Sequence, residues 1–75
     1  MSAYYFHCTD GYDLILDRAG CRIPSRQSAE LVAYTVAGRV MRTAPGGADW
    51  SRWLVTVQDE TGSMVAVVPF PAGQA

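Results

Sequence analysis

From Tyr4 to Thr9 the chain alternates, with Tyr4, Phe6 and Cys8 on one face and Tyr5, His7 and Thr9 on the other. A period of two rich in aromatics predicts a half-buried β-strand. Asp10-Gly11 then marks a turn,. Two short strand pieces, Asp13 to Asp17 and Cys21 to Ile23, are expected around the D-x-x-G turn Asp17-Arg18-Ala19-Gly20. A second D-x-x-G turn, Asp59-Glu60-Thr61-Gly62, lies between the apolar runs Trp53 to Val57 and Met64 to Val68. An Asp opening such a turn can accept from its own backbone, and a Gly three residues on tolerates positive φ. The flanks of each turn are therefore expected to pair across it.

Between the two hairpins the period changes. Ala29, Val32, Ala33, Val36, Ala37 and Val40 recur at spacings of three and four, which predicts one helix with a buried stripe about 100° wide,. Pro24-Ser25 opens it with Ser25 as N-cap, and Arg39 and Arg42 complement the dipole in its last turns. Its stripe is made of small residues, so this helix can lie close to a sheet. Pro45, Gly46 and Gly47 are expected to end it and reverse the chain,, and Pro69, Pro71 and Gly73 to release the tail. Together these elements predict an α+β domain, ββαββ, with a mainly antiparallel sheet and one helix packed on one face. One domain is expected over residues 1–75: hairpin 4–23, helix 25–43, loop 44–52, hairpin 53–70.

Composition narrows the classes. Seventy-five residues of which 49% are hydrophobic describe a small globular domain, close to the size at which cores need a disulfide, a metal or a partner subunit. The net charge is −1, and all six basic residues are Arg. Met1 to His7 has neither a basic region nor an apolar segment of signal-peptide type, and Met64 to Val68 is far too short to span a bilayer. Two cysteines do not make a disulfide framework. A cytoplasmic protein without a membrane partner is expected.

The order of motifs resembles a family of small bacterial proteins of unknown function. Its members start with a Tyr/Phe-rich segment ending in His (here Tyr4-Tyr5-Phe6-His7), followed by an Asp-Gly turn (Asp10-Gly11) and a D-x-x-G turn (Asp17 to Gly20). An apolar-Pro helix start (Ile23-Pro24), an Ala-rich helix and a D-E-x-G hairpin ending in Pro-Phe (Asp59 to Gly62, Pro69-Phe70) complete the pattern. This chain departs in having Ser25 where an Asp cap is usual, and in Cys8 and Cys21. The resemblance implies the fold and carries no activity.

No catalytic, cofactor-binding or metal-binding residue stands out. His7 is the one histidine. As a general base or ligand it would need partners, whereas a half-buried, hydrogen-bonded structural role needs none. His7 and Cys8 are adjacent and point to opposite faces, which does not suit zinc. Cys8 and Cys21 lack a C-x-x-C spacing and are expected to be inert thiols, Cys8 as an apolar filler. The serines lie in no nucleophile motif, the glycines form no phosphate-binding loop, and the turn carboxylates are accounted for by local hydrogen bonding. Sheet aromatics could stack on single-stranded nucleic acid, but a pI near 5.6 and scattered Arg make nucleic acid a lesser alternative.

Two readings follow. Strands apolar on both faces over a single helix imply a non-enzymatic module that associates with itself, as a homodimer, or with another protein. The interface candidates are Tyr5, His7, Trp50, Arg52 and Trp53,. The alternative is a small-ligand binder or enzyme using His7 in a pocket formed on dimerisation. In a monomer, Trp50 to Trp53 would instead have to fold over the second sheet face.

Overall fold

The computed structural model describes residues 2–43 and 49–71. The expected helix stop at Pro45 to Gly47, and the tail from residue 72, lie outside the described residues. The elements are β1 (Ser2–Thr9), β2 (Leu14–Ile15), β3 (Cys21–Ile23), α1 (Arg26–Thr43), β4 (Leu54–Gln58) and β5 (Met64–Pro69). All strand pairings are antiparallel, and α1 packs on one face of the sheet, as the α+β reading expects.

The strand order is β2-β1-β4-β5, with β3 also paired to β1. The turn at Asp10-Gly11 returns the chain so that Cys8 faces Ile15 and Thr9 faces Leu14. Asp10 Oδ1 accepts from the N–H groups of Tyr12 and Asp13 at 2.8 and 2.7 Å. The first D-x-x-G turn, in contrast, is not a hairpin turn. The pieces flanking it do not pair with each other: both lie along the same edge of β1, where Ser2 faces Ile23 and Tyr4 faces Cys21. Along β1 the two pieces pair at two and three positions, five in all, against at most two if they paired with each other, and the turn arches between them. The second D-x-x-G turn closes a true hairpin. Asp59 Oδ1 accepts from the N–H groups of Thr61 and Ser63 at 2.9 and 3.0 Å, and Leu54 to Gln58 pair with Pro69 to Met64.

Ser25 caps the helix by accepting from the Ser28 N–H at 3.2 Å. The buried stripe is narrower than the periodicity implies. Ala29, Ala33 and Ala37 are fully buried, while Val32, Val36 and Val40 are only partly buried against the core. The alanines let α1 settle directly on Phe6, Cys8, Val55, Val57 and Val68, the sheet side of the core. The valines face the side where β2 and β3 leave the sheet interrupted.

Trp50 and Trp53 close the core on the helix-covered face of the sheet, beside β4 and β5. Trp50 stacks on Phe70 with ring centroids 5.5 Å apart and planes at 22°, and Trp53 meets Trp50 edge-on at 5.3 Å. The Phe70 N–H donates to the Trp53 carbonyl at 3.0 Å, extending the β4–β5 ladder by one step. Trp53 and Phe70 thereby share the face of Val55 and Val68. They do not cover the second face of the sheet.

Candidate functional site

The interruption between β2 and β3 leaves the middle of β1 without a strand on that side. Tyr5, Phe6 and His7 pair with Gln58, Val57 and Thr56 of β4, but none has a partner in β2 or β3. Asp17 fills the gap. Its Oδ2 accepts from the Phe6 N–H at 3.1 Å, and its Oδ1 from the Ala19 and Gly20 N–H groups at 3.1 and 3.0 Å. In return the Asp17 N–H donates to His7 Nδ1 at 3.0 Å. One residue thus terminates its own turn and stands in for a missing ladder partner. Burial alone pushes the Asp17 carboxyl up. The donors at Gly20, Phe6 and Ala19, together with His7, outweigh it and hold the carboxyl below its ordinary value,.

This arrangement defines what His7 can do. With Nδ1 accepting, the neutral ring carries its proton on Nε2, so neither nitrogen presents a free lone pair for proton abstraction. Among the described residues no three His, Cys, Asp or Glu side chains are grouped so as to hold a metal ion. Cys8 is buried and Cys21 exposed, both as free thiols. Cys8 lies opposite Ile15 and Cys21 opposite Tyr4. They are four strand positions apart, about 13 Å, and too far to bridge. Burial first, then the Asp17 charge, pushes the Cys8 thiol up, which disfavours the thiolate.

Pairing register orders the uncovered face of the sheet into three transverse rows. Leu14, Thr9, Leu54 and Pro69 form one. His7, Thr56 and Val67 form the second, and Tyr5, Gln58 and Met64 the third. The rows contain no Asp, Glu, Lys or Arg. Arg22, opposite Ala3, stands at the rim. Leu54 is 37% exposed, Val67 52% and Met64 53%.

Of the residues picked out by sequence, Tyr5 and His7 belong to this face, and Trp50 and Trp53 belong to the aromatic end of the core. Arg52 is exposed in the turn between those two tryptophans. Leu54, Met64 and Val67 carry the open face, a placement readable from alternation once β4 and β5 are paired in register. The β4–β5 register shifts between Val57 and Gln58, which sequence alternation could not anticipate.

On the helix side, the valines of α1 and the arch between β2 and β3 enclose an open groove of about 450 Å³. No helix among the described residues is long and apolar enough to cross a membrane. One family model matches residues 3–71, that of the Domain of unknown function (DUF6894). No curated protein and no solved structure matches the chain.

Proposed function

The chain belongs to this family of unknown function, and from its own geometry we propose that it is a non-enzymatic interaction module whose partner is a second copy of itself. The observation that carries this reading is the open sheet face: three rows of uncharged residues centred on His7, Thr56 and Val67, with Arg22 at the rim. Protein interfaces are depleted of charge at their centre and polar at their edge. A face that is its own complement can be closed isologously by a two-fold axis. The low net charge of −1 sets little repulsion against such pairing. Tyr5 and His7 lie inside this contact. Trp50 and Trp53 are engaged with Phe70 and contribute at most their exposed edges, with Arg52 beside them. The setting we propose is cytoplasmic, where the exposed Cys21 thiol would stay reduced,.

Light scattering over a concentration series tests this. The wild-type mass is expected to rise from 8.1 kDa to twice that value by high micromolar protein. Val67→Lys puts a charge in the central row at an exposed site and should hold the chain at the monomer mass with its circular dichroism unchanged. A wild-type mass fixed at 8.1 kDa, or a lysine variant that associates as tightly as the parent, would show that this face does not pair.

A further inference from the structure

The groove on the helix side is a consequence of the interrupted strand. A continuous strand from residue 14 to residue 23 would run beneath Val32, Val36 and Val40; instead the chain arches away between Ile15 and Cys21. The result is a half-open trough whose floor is Phe6 and whose walls are Ile15 and Leu16 on one side and Val32, Val36 and Val40 on the other. Its volume, about 450 Å³, falls in the range of small-molecule sites. Aliphatic groups lining such an open groove stay in contact with water, so an apolar ligand laid along them would bury that surface.

Two charged side chains border the trough, Asp17 and Arg39. They are not equivalent. All of the short contacts of the Asp17 carboxylate go to backbone donors, two on Oδ1 and one on Oδ2, so it is committed to the fold. Arg39 stands one turn from Val36 and two turns from Val32 on the same helix flank, exposed at the trough margin. It offers a planar set of donors suited to a carboxylate. Thr35 adds a hydroxyl at the same margin.

We propose that this trough is a binding site for an anionic amphiphile, an unbranched aliphatic monocarboxylate whose chain lies along Phe6, Ile15 and Val36 and whose carboxylate pairs with Arg39. The site is on the opposite side of the sheet from the proposed self-association face, so it does not depend on that reading.

Decanoate and decanol, added below their aggregation limits to isotopically labelled full-length chain, test the site by amide chemical shifts. Decanoate is expected to give saturable shifts centred on Ile15, Leu16, Val32, Val36 and Val40, and to slow alkylation of the exposed Cys21 thiol on the trough wall. Arg39→Gln, a change on an exposed helix surface that leaves the core intact, should weaken decanoate about five-fold, as expected for one solvent-exposed ion pair, and leave decanol unchanged. Shifts centred on Thr56 and Val67, no saturation in the low millimolar range, or equal effects of Arg39→Gln on acid and alcohol would each overturn the proposal. So would trough amides that respond to protein dilution alone, since a second copy would then occupy the site.

Discussion

Replacing Asp17 with Ala is expected to lower stability by about 2–3 kcal/mol, a value already reduced for the partial exposure of the carboxylate. The substitution removes the acceptor of three backbone N–H groups, those of Phe6, Ala19 and Gly20. The Phe6 donor matters most. It belongs to the central strand of the interrupted edge, Phe6 itself is buried, and no strand residue stands ready to replace the lost acceptor. A domain of this size rarely has more than about 3–5 kcal/mol in hand, so the variant should be largely unfolded in mild urea. His7→Gln tests the reciprocal bond. An amide oxygen can still accept the Asp17 N–H, and the expected loss is about 1 kcal/mol. Urea titrations followed by circular dichroism measure both. Arg18→Ala, exposed in the same turn, is the control and should stay within about 0.5 kcal/mol of wild type. If Asp17→Ala behaves like that control, the carboxylate is not replacing a ladder partner.

The same geometry fixes the sign of the acid response. Asp17 is held below its ordinary value by its backbone donors and His7 acting against burial. Asp10 is lowered chiefly by the Asp13 and Tyr12 N–H groups, and Asp59 by the Thr61 hydroxyl despite the opposing effect of desolvation. A carboxyl whose folded pKa is depressed adds stability above its unfolded value, near 3.9 for Asp, and loses it as pH falls through the folded one. Stability contributed by these turns is therefore level at neutral pH and declines below about pH 4. In Asp17→Asn that decline should be shallower.

How far the sequence carries is best seen by comparing the two D-x-x-G turns. At Asp59 the signature and the structure agree, because strands of five and six residues on either side can form a ladder with each other. At Asp17 the identical signature lies between pieces of two and three residues, and the edge of β1 outcompetes their mutual pairing. Local chemistry encodes that Asp accepts from the backbone; which backbone it reaches, Phe6 eleven residues away, is decided by tertiary pairing. The alternation of β1 was legible for the same reason that the second hairpin was: a buried face enforces a period of two. The helix stripe was legible in phase but not in width, since the depth of burial at Val32, Val36 and Val40 depends on whether a strand runs beneath them. The trough they border follows from the interruption, and no periodicity announces it. Tyr5 and His7 could be assigned to a face from alternation alone, whereas Trp50 and Trp53, outside regular structure, were placed by their packing on Phe70.

Gly20→Ala is expected to destabilise the chain by about 2–4 kcal/mol, more than the same change at the corresponding glycine of the second turn, Gly62, at about 1–2 kcal/mol. Both glycines have positive φ, +73° at Gly20 and +86° at Gly62, so both substitutions place an L-residue in the left-handed region. The difference lies in their surroundings. A Cβ on Gly62 meets nothing within 4 Å, whereas one on Gly20 would come to 2.8 Å from Cε2 of the Tyr5 ring. To admit that Cβ the Tyr5 ring, carried by the strand that also holds the Phe6–Asp17 bond, must move aside. A double-mutant cycle separates the two contributions. Tyr5→Ala removes the obstructing ring, so Gly20→Ala in that background should cost only what Gly62→Ala costs, and the coupling between positions 5 and 20 should be about 1–2 kcal/mol in the relieving direction. Thermal or urea unfolding of the four chains gives the cycle. Additive effects at positions 5 and 20 would mean that the backbone alone, and not the Tyr5 ring, selects glycine at the arch.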